Sequence, residues 1–442
     1  MKSKGHMLQL ALRQTCLCVA LVLLASRGAY GQLEFEAPPI NYNSAPLTDR
    51  VSRLQEQVAR GDVKLKFDEK NGYLRSVLEH LDVPISSQML VFSKTSFQLR
   101  RIMPNRPRAV YFNDNVYVGW VQHGDVVELS SADPQLGAIF YTLRQKETDS
   151  PRFVRDRGQC LTCHASSRTA GVPGHLVRSV YAGRSGQPYF GSGTFTTDHR
   201  SPFKQRWGGW YVSGTHGSHR HMGNVTVTDA KQPEQLDTER GANLADLVQL
   251  FDVSPYLSAE SDIVALMVLE HQTQMQNLIT RAGFETRAAL HYDKVMNRAM
   301  DRPLDHRSDS TIRRITAVTN KLVDYMLFVD EFRLQDSVRG TSRFAEEFTA
   351  RGPFDAGGRS LRELDLKHRL MKYPCSYLIY SEPFDHLPAP AKECVYRRLF
   401  DVLSGSEQEG RFSHLTGADR KAILEILLET KSDLPEYWQI EE

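Results

Sequence analysis

Five consecutive residues, Cys160-Leu161-Thr162-Cys163-His164, place two thiols and an imidazole at a short fixed spacing. Two residues between the cysteines match the separation of the vinyl groups on a porphyrin edge, so each sulfur can add across one vinyl. The histidine that follows is then held under the iron and can donate a ring nitrogen as the proximal ligand. The spacing therefore points to one covalently bound haem c. Two other chemistries use a C-x-x-C pair. A thioredoxin-like redox pair opens a helix after a strand in a βαβ pattern, whereas Arg155-Asp156-Arg157-Gly158 reads as a loop. A zinc site needs a second ligand pair, and Cys375 and Cys394 are not closely spaced.

An iron held by His164 on one side takes Met or His on the other for electron transfer, or leaves that side open for chemistry. Met222 follows His164 by 58 residues, a spacing compatible with a sixth ligand. His216, His219 and His221 share its loop and offer bis-histidine ligation or a metal site of their own. His271 lies four residues from Met267 and Met275, on the apolar face of an expected helix. A histidine on such a face is also an ordinary hydrogen-bonded core residue. Buried haem propionates need cationic or indole partners. Arg155, Arg157, Arg168, Arg178, Trp207 and Trp210 flank the motif and are candidates; each arginine reads equally as a solvated surface charge. Gly191-Ser192-Gly193-Thr194 is glycine-rich but lacks the Gly-Lys-Ser/Thr of a phosphate loop. Asn224-Val225-Thr226 matches a glycosylation sequon.

The elements that must position these groups divide the 442 residues into five stretches. Residues 1–31 read as a secretory signal: Lys2, Lys4 and Arg13 are the basic end, 17–25 the apolar run, and Ala29-Tyr30-Gly31 a cleavage site before Gln32. The run is short for an uncleaved anchor. Residues 32–46 read as a polar linker. Residues 47–147 combine a helix over 47–59 with short alternating or apolar runs at 63–67, 88–93, 109–113, 116–122, 126–130 and 138–143, an antiparallel sheet module. Residues 148–235 form the haem-binding region, whose stretch 171–224 is dense in Gly, His and aromatics and is expected as loops and short strands. Residues 236–442 read as helical, with apolar periodicity at 242–251, 261–280, 285–300, 310–334, 361–371, 391–403 and 416–427. The fold class expected is α+β: an N-terminal antiparallel β-rich module, a haem-binding loop region and a mainly α-helical C-terminal half.

Loss of residues 1–31 would remove four of 55 basic side chains, leaving 51 against 53 acidic ones. Near neutrality argues against a nucleic-acid partner or a strongly bound anionic membrane. In an exported chain, Cys375 and Cys394 are a plausible disulfide or two separate buried thiols.

The Cys160–His164 run resembles the haem-attachment motif of c-type cytochromes, and the whole resembles large, mostly uncharacterised bacterial proteins carrying one such motif in a bigger body. The resemblance implies haem binding and one-electron transfer, with a redox partner protein or a small-molecule electron donor or acceptor. Covalent haem is attached outside the bacterial cytoplasm, so the motif and the export signal are consistent with a periplasmic or secreted location. A body this large around one haem also suits a haem enzyme of peroxidase or oxygenase type, or a redox or gas sensor.

Overall fold

The computed structural model describes residues 34–406 and 410–438, so the expected signal segment lies outside the described residues. Residues 34–45 form a small unit by themselves, opening with a turn at Glu34–Glu36 and closed by the Tyr42 N–H donating to the Phe35 carbonyl. Everything from Pro46 onward belongs to a second unit.

The first helix, α1 (Arg50–Arg60), begins at Asp49, whose carboxylate accepts from the Val51 and Ser52 N–H groups. A short α2 (Leu74–His80) follows. Six strands then form the main sheet: β1 (Met89–Val91), β2 (Arg108–Phe112), β3 (Val116–Val121), β4 (Val126–Asp133), β5 (Gly137–Arg144) and β6 (Phe153–Arg155). One helical turn, α3 (Leu161–His164), carries the motif. A separate hairpin pairs β7 (Val177–Val180) with β8 (Thr194–Thr197), and β9 (Trp210–Tyr211) returns to the main sheet beside β1. The seven-stranded order is β6-β5-β4-β3-β2-β1-β9, antiparallel throughout.

The helical half is organised on α4 (Ile263–Ala299), 37 residues long and capped by Asp262. Its first turns, from Ile263 to Leu269, are buried on every side, as a helix at the centre of a fold requires. Around it come α5 (Asp309–Met326), α6 (Phe344–Thr349), α7 (Glu382–Asp385), α8 (Ala389–Leu403) and α9 (Gly417–Thr430). The core joins α4 residues such as Val264 and Met275 to sheet residues Met89, Val110 and Phe112 and to Leu322, Leu399 and Ile423 of the later helices. The architecture is α+β, an antiparallel sheet followed by a helical half. No described helix is long and apolar enough to cross a membrane.

Several elements differ from the periodicity. The expected helices 261–280 and 285–300 are one: Gly283 is buried within the continuous helix and does not break the run. Residues 242–251 are not helical. Asn243 has φ 54°, its side chain accepts from the His216 N–H, and Asp246 accepts from the Val248 N–H. The Asp246 bond is local and competes with the helix for a backbone donor. Residues 361–371 fold back instead, with Asp365 N–H donating to Leu370 O and Leu366 at φ 58°. The helix expected over 310–334 stops at Met326, since Phe328 and Asp330 take positive φ. Residues 63–67 keep their alternation, with Leu65 buried between exposed Lys64 and Lys66, yet pair with no strand. Cys375 and Cys394 are separate thiols, the first fully buried. Asn224 is buried, and its amide donates to the carbonyls of Val212 and Gly241, so the sequon is not displayed as an acceptor.

Candidate functional site

Register in the sheet sets the floor of the site. Val110, Gly119, Glu128 and Thr142 form one cross-strand row, and Phe112, Tyr117, Ser130 and Phe140 form the next on the same face. Arg108 lies two residues before Val110, hence on this face too, and pairs with Glu128 at 2.8 Å. It reaches Glu128 by crossing Gly119, where a Cβ would strike its guanidinium. The opposite face is tied to α1 by Tyr141 Oη, which donates to Asp49 at 2.5 Å.

The motif turn stands over this floor. Asp156, just after β6, accepts from the Cys160 N–H at 2.9 Å. The Cys160 carbonyl in turn accepts from the N–H groups of Cys163 and His164. Residues at i, i+3 and i+4 share a helical face, so both sulfurs and the imidazole emerge on one side. Cys160 is half-buried and Cys163 exposed. Burial first, and then the Asp156 carboxylate, push the Cys160 thiol up to about 12, so it stays protonated.

His164 is oriented from behind. Its Nδ1–H donates to the Gly174 carbonyl at 2.9 Å, which fixes the tautomer and leaves Nε2 with its lone pair. Its ring lies 4.9 Å from Phe140. Burial holds the imidazole below its ordinary range, with Arg108 acting in the same sense and Gly174 and Glu128 against it. A neutral imidazole whose outer N–H is tied to a carbonyl is the form in which histidine ligates a metal. Gly174 is itself clamped by α4: Asn277 accepts from the His175 N–H at 2.9 Å and donates to the His175 carbonyl at 2.7 Å. A Cβ at Gly174 would run into Asn277 Oδ1. His175 is buried, bonds Ser130 Oγ through Nε2 at 2.7 Å and packs at a tilt against Tyr117, 4.1 Å between ring centroids. Two thiols and one free imidazole nitrogen on one helical face suit the edge and axial position of a c-type haem.

None of the expected sixth ligands shares a contact with His164. His271 is buried between His199, with Nδ1 to Nδ1 at 2.8 Å, and Ser376 Oγ, 2.7 Å from its Nε2. Its apolar helix face is where the stacked rings of Tyr325 and Phe328 pack, the ordinary core role. His216 Nε2 accepts from the Asn243 N–H, His219 Nε2 from those of Gln335 and Asp336, and His221 Nδ1 from that of Gly223. In a neutral imidazole the other nitrogen then carries the proton, so none of the three offers a lone pair to a metal. Met222 is buried, with its sulfur accepting from Ser179 Oγ at 3.6 Å.

Of the expected propionate partners, Arg157 and Arg168 are exposed. Arg178 stacks over Phe190 at 4.5 Å and feels both Arg168 and Cys163 electrostatically, which puts it at the rim beside the motif. Trp210 has spent its indole N–H on the Arg178 carbonyl, while Trp207 is fully buried. Arg155 ends β6, immediately before Asp156.

Four groups at the site escape sequence reading: Arg108, Glu128, Phe140 and Asn277. Strand alternation says that each strand residue faces one side, but only the cross-strand register says what it faces. Comparison of the chain with protein-family models, characterised proteins and solved structures returned no match.

Proposed function

We propose that the chain binds one haem covalently through Cys160 and Cys163, ligates its iron through His164, and transfers single electrons. The observation that carries this reading is the His164 geometry: Nδ1–H is committed to Gly174, which leaves Nε2 as the lone-pair donor of a residue that shares a helical face with Cys160 and Cys163. The bound haem would supply a one-electron couple. The protein's own part is to hold the imidazole neutral and oriented and to shield one face of the site with Phe140 and the Arg108–Glu128 pair. The test is an alkaline pyridine haemochrome spectrum of protein produced with haem-maturation machinery, beside Cys160→Ala and Cys163→Ala. Wild type should carry covalent haem, each single variant a one-thioether spectrum, and the double variant none. A wild type without covalent haem sinks the proposal.

A second reading is a haem enzyme or ligand sensor with an open sixth position. It is favoured by the engagement of His216, His219, His221, His271 and Met222 in bonds elsewhere. Cyanide added to the ferric protein separates the two: a shifted absorption spectrum supports an open position, an unchanged one an endogenous ligand.

A further inference from the structure

Of the buried aromatic nitrogens without a partner among the described residues, three belong to neighbouring rings: Trp207 Nε1, His216 Nδ1 and His221 Nε2. Their residues are at most 1% exposed. The rings are neighbours, with His221 5.2 Å from Trp207 and 4.8 Å from His216 between centroids. All three nitrogens are donors. An indole nitrogen always carries its hydrogen, and the acceptor nitrogens of His216 and His221 are taken by the N–H groups of Asn243 and Gly223. A cation is therefore the wrong occupant. A water accepts two hydrogen bonds, one fewer than the donors present, and brings two hydrogens of its own that need acceptors.

Two arginines lie beside these rings, each also in an ion pair, Arg206 with Glu270 and Arg220 with Glu239. Arg220 acts on both His216 and His221 as a positive neighbour. Arg206 lies with its guanidinium 5.9 Å from the Trp207 ring, paired at 2.9 Å to buried Glu270. The backbone is strained to hold the indole in place: Trp207 has φ 64°, a region that bulky residues avoid. Gly208 and Gly209 after it are needed, because a Cβ at either would press on the Val180 carbonyl or on Ser93. Strain of this kind concentrates at ligand clamps.

We propose that Trp207, His216 and His221 form a buried site for one small monovalent anion of halide size, held by three N–H donors. The site is independent of the haem reading. Bromide is the probe. Crystals of the full chain soaked in sodium bromide should show an anomalous peak within hydrogen-bonding distance of Trp207 Nε1 and at least one of the two histidines. In solution the melting midpoint should rise saturably with sodium bromide over sodium gluconate at equal ionic strength, and Trp207→Phe should weaken the apparent affinity at least about tenfold. An anomalous map with no peak at these nitrogens, a water in their midst, or an equal response in Trp207→Phe overturns the proposal. Should Trp207→Phe fail to fold, the wild-type map decides alone.

Discussion

His164 owes its orientation to a residue more than a hundred positions away. Asn277 fixes both backbone groups of His175 and so presents the Gly174 carbonyl to His164 Nδ1. Asn277→Ala leaves a buried N–H and a buried carbonyl unmet, and should cost about 1–3 kcal/mol of unfolding free energy by denaturant titration. Under the proposed function it should also lower the basicity of His164 toward iron and raise the haem midpoint potential relative to wild type. A loss of stability with no change of potential would mean that the clamp is structural only. The thiols make a separate case. Chain produced without haem should react with a thiol reagent first at exposed Cys163. Cys375, fully buried and pushed up to about 12, should react only after unfolding. Mass mapping of the modified cysteines checks the order, and a disulfide-linked Cys375–Cys394 peptide would refute it.

Among the elements, α4 does the most positioning, since one helix supplies Gln272 and Gln276 to Tyr117 of the sheet and Asn277 to the His175 backbone behind His164. Its continuity through Gly283 makes a direct prediction. A Cβ there meets nothing nearer than Leu387 Cδ2 at 3.7 Å, so Gly283→Ala should add up to about 1 kcal/mol of stability. Gly208→Ala should do the reverse, because its Cβ would collide with the Val180 carbonyl, a backbone atom that cannot step aside. Thermal melts of the two variants should shift in opposite directions. The sequence carried the strand alternation of β2 to β5 and the apolar face of the 261–280 run. It did not show that 242–251 and 361–371 are unhelical, because Asn243, Asp246 and Leu366 stop those segments through contacts and backbone turns that periodicity does not register.

At the scale of the whole molecule, buried histidines govern the acid limb of stability. His175, His221 and His271 are held at about 3 by burial, against an ordinary value of 6.5. Below pH 6.5 the unfolded chain takes up protons that the folded chain refuses, so stability present above that pH is lost as pH falls toward 3. Glu270 and Glu331, raised to about 7 by burial, work against this trend. Their folded forms keep a proton that the unfolded chain releases above 4.5, so their contribution is lost as pH rises from 4.5 to 7. Three depressed histidines outweigh two raised glutamates, and His164, His199, His216 and His219 are lowered as well. The denaturant midpoint should therefore be lower at pH 5 than at pH 7. An equal or higher midpoint at pH 5 would show that these histidines take up protons without unfolding.

By itself the sequence determined the donor set of the candidate site, because Cys160, Cys163 and His164 are neighbours whose spacing needs no tertiary fold to be read. It also determined the α+β class, since periods of two and 3.6 are local properties of the chain. Only the tertiary structure decided what surrounds that motif. The Arg108–Glu128 pair and Phe140 reach it by cross-strand register, and Asn277 by the docking of a helix. In one dimension His216, His219, His221, His271 and Met222 are all candidates. Backbone donors and buried side chains, brought to them from distant segments, claimed their acceptor atoms first.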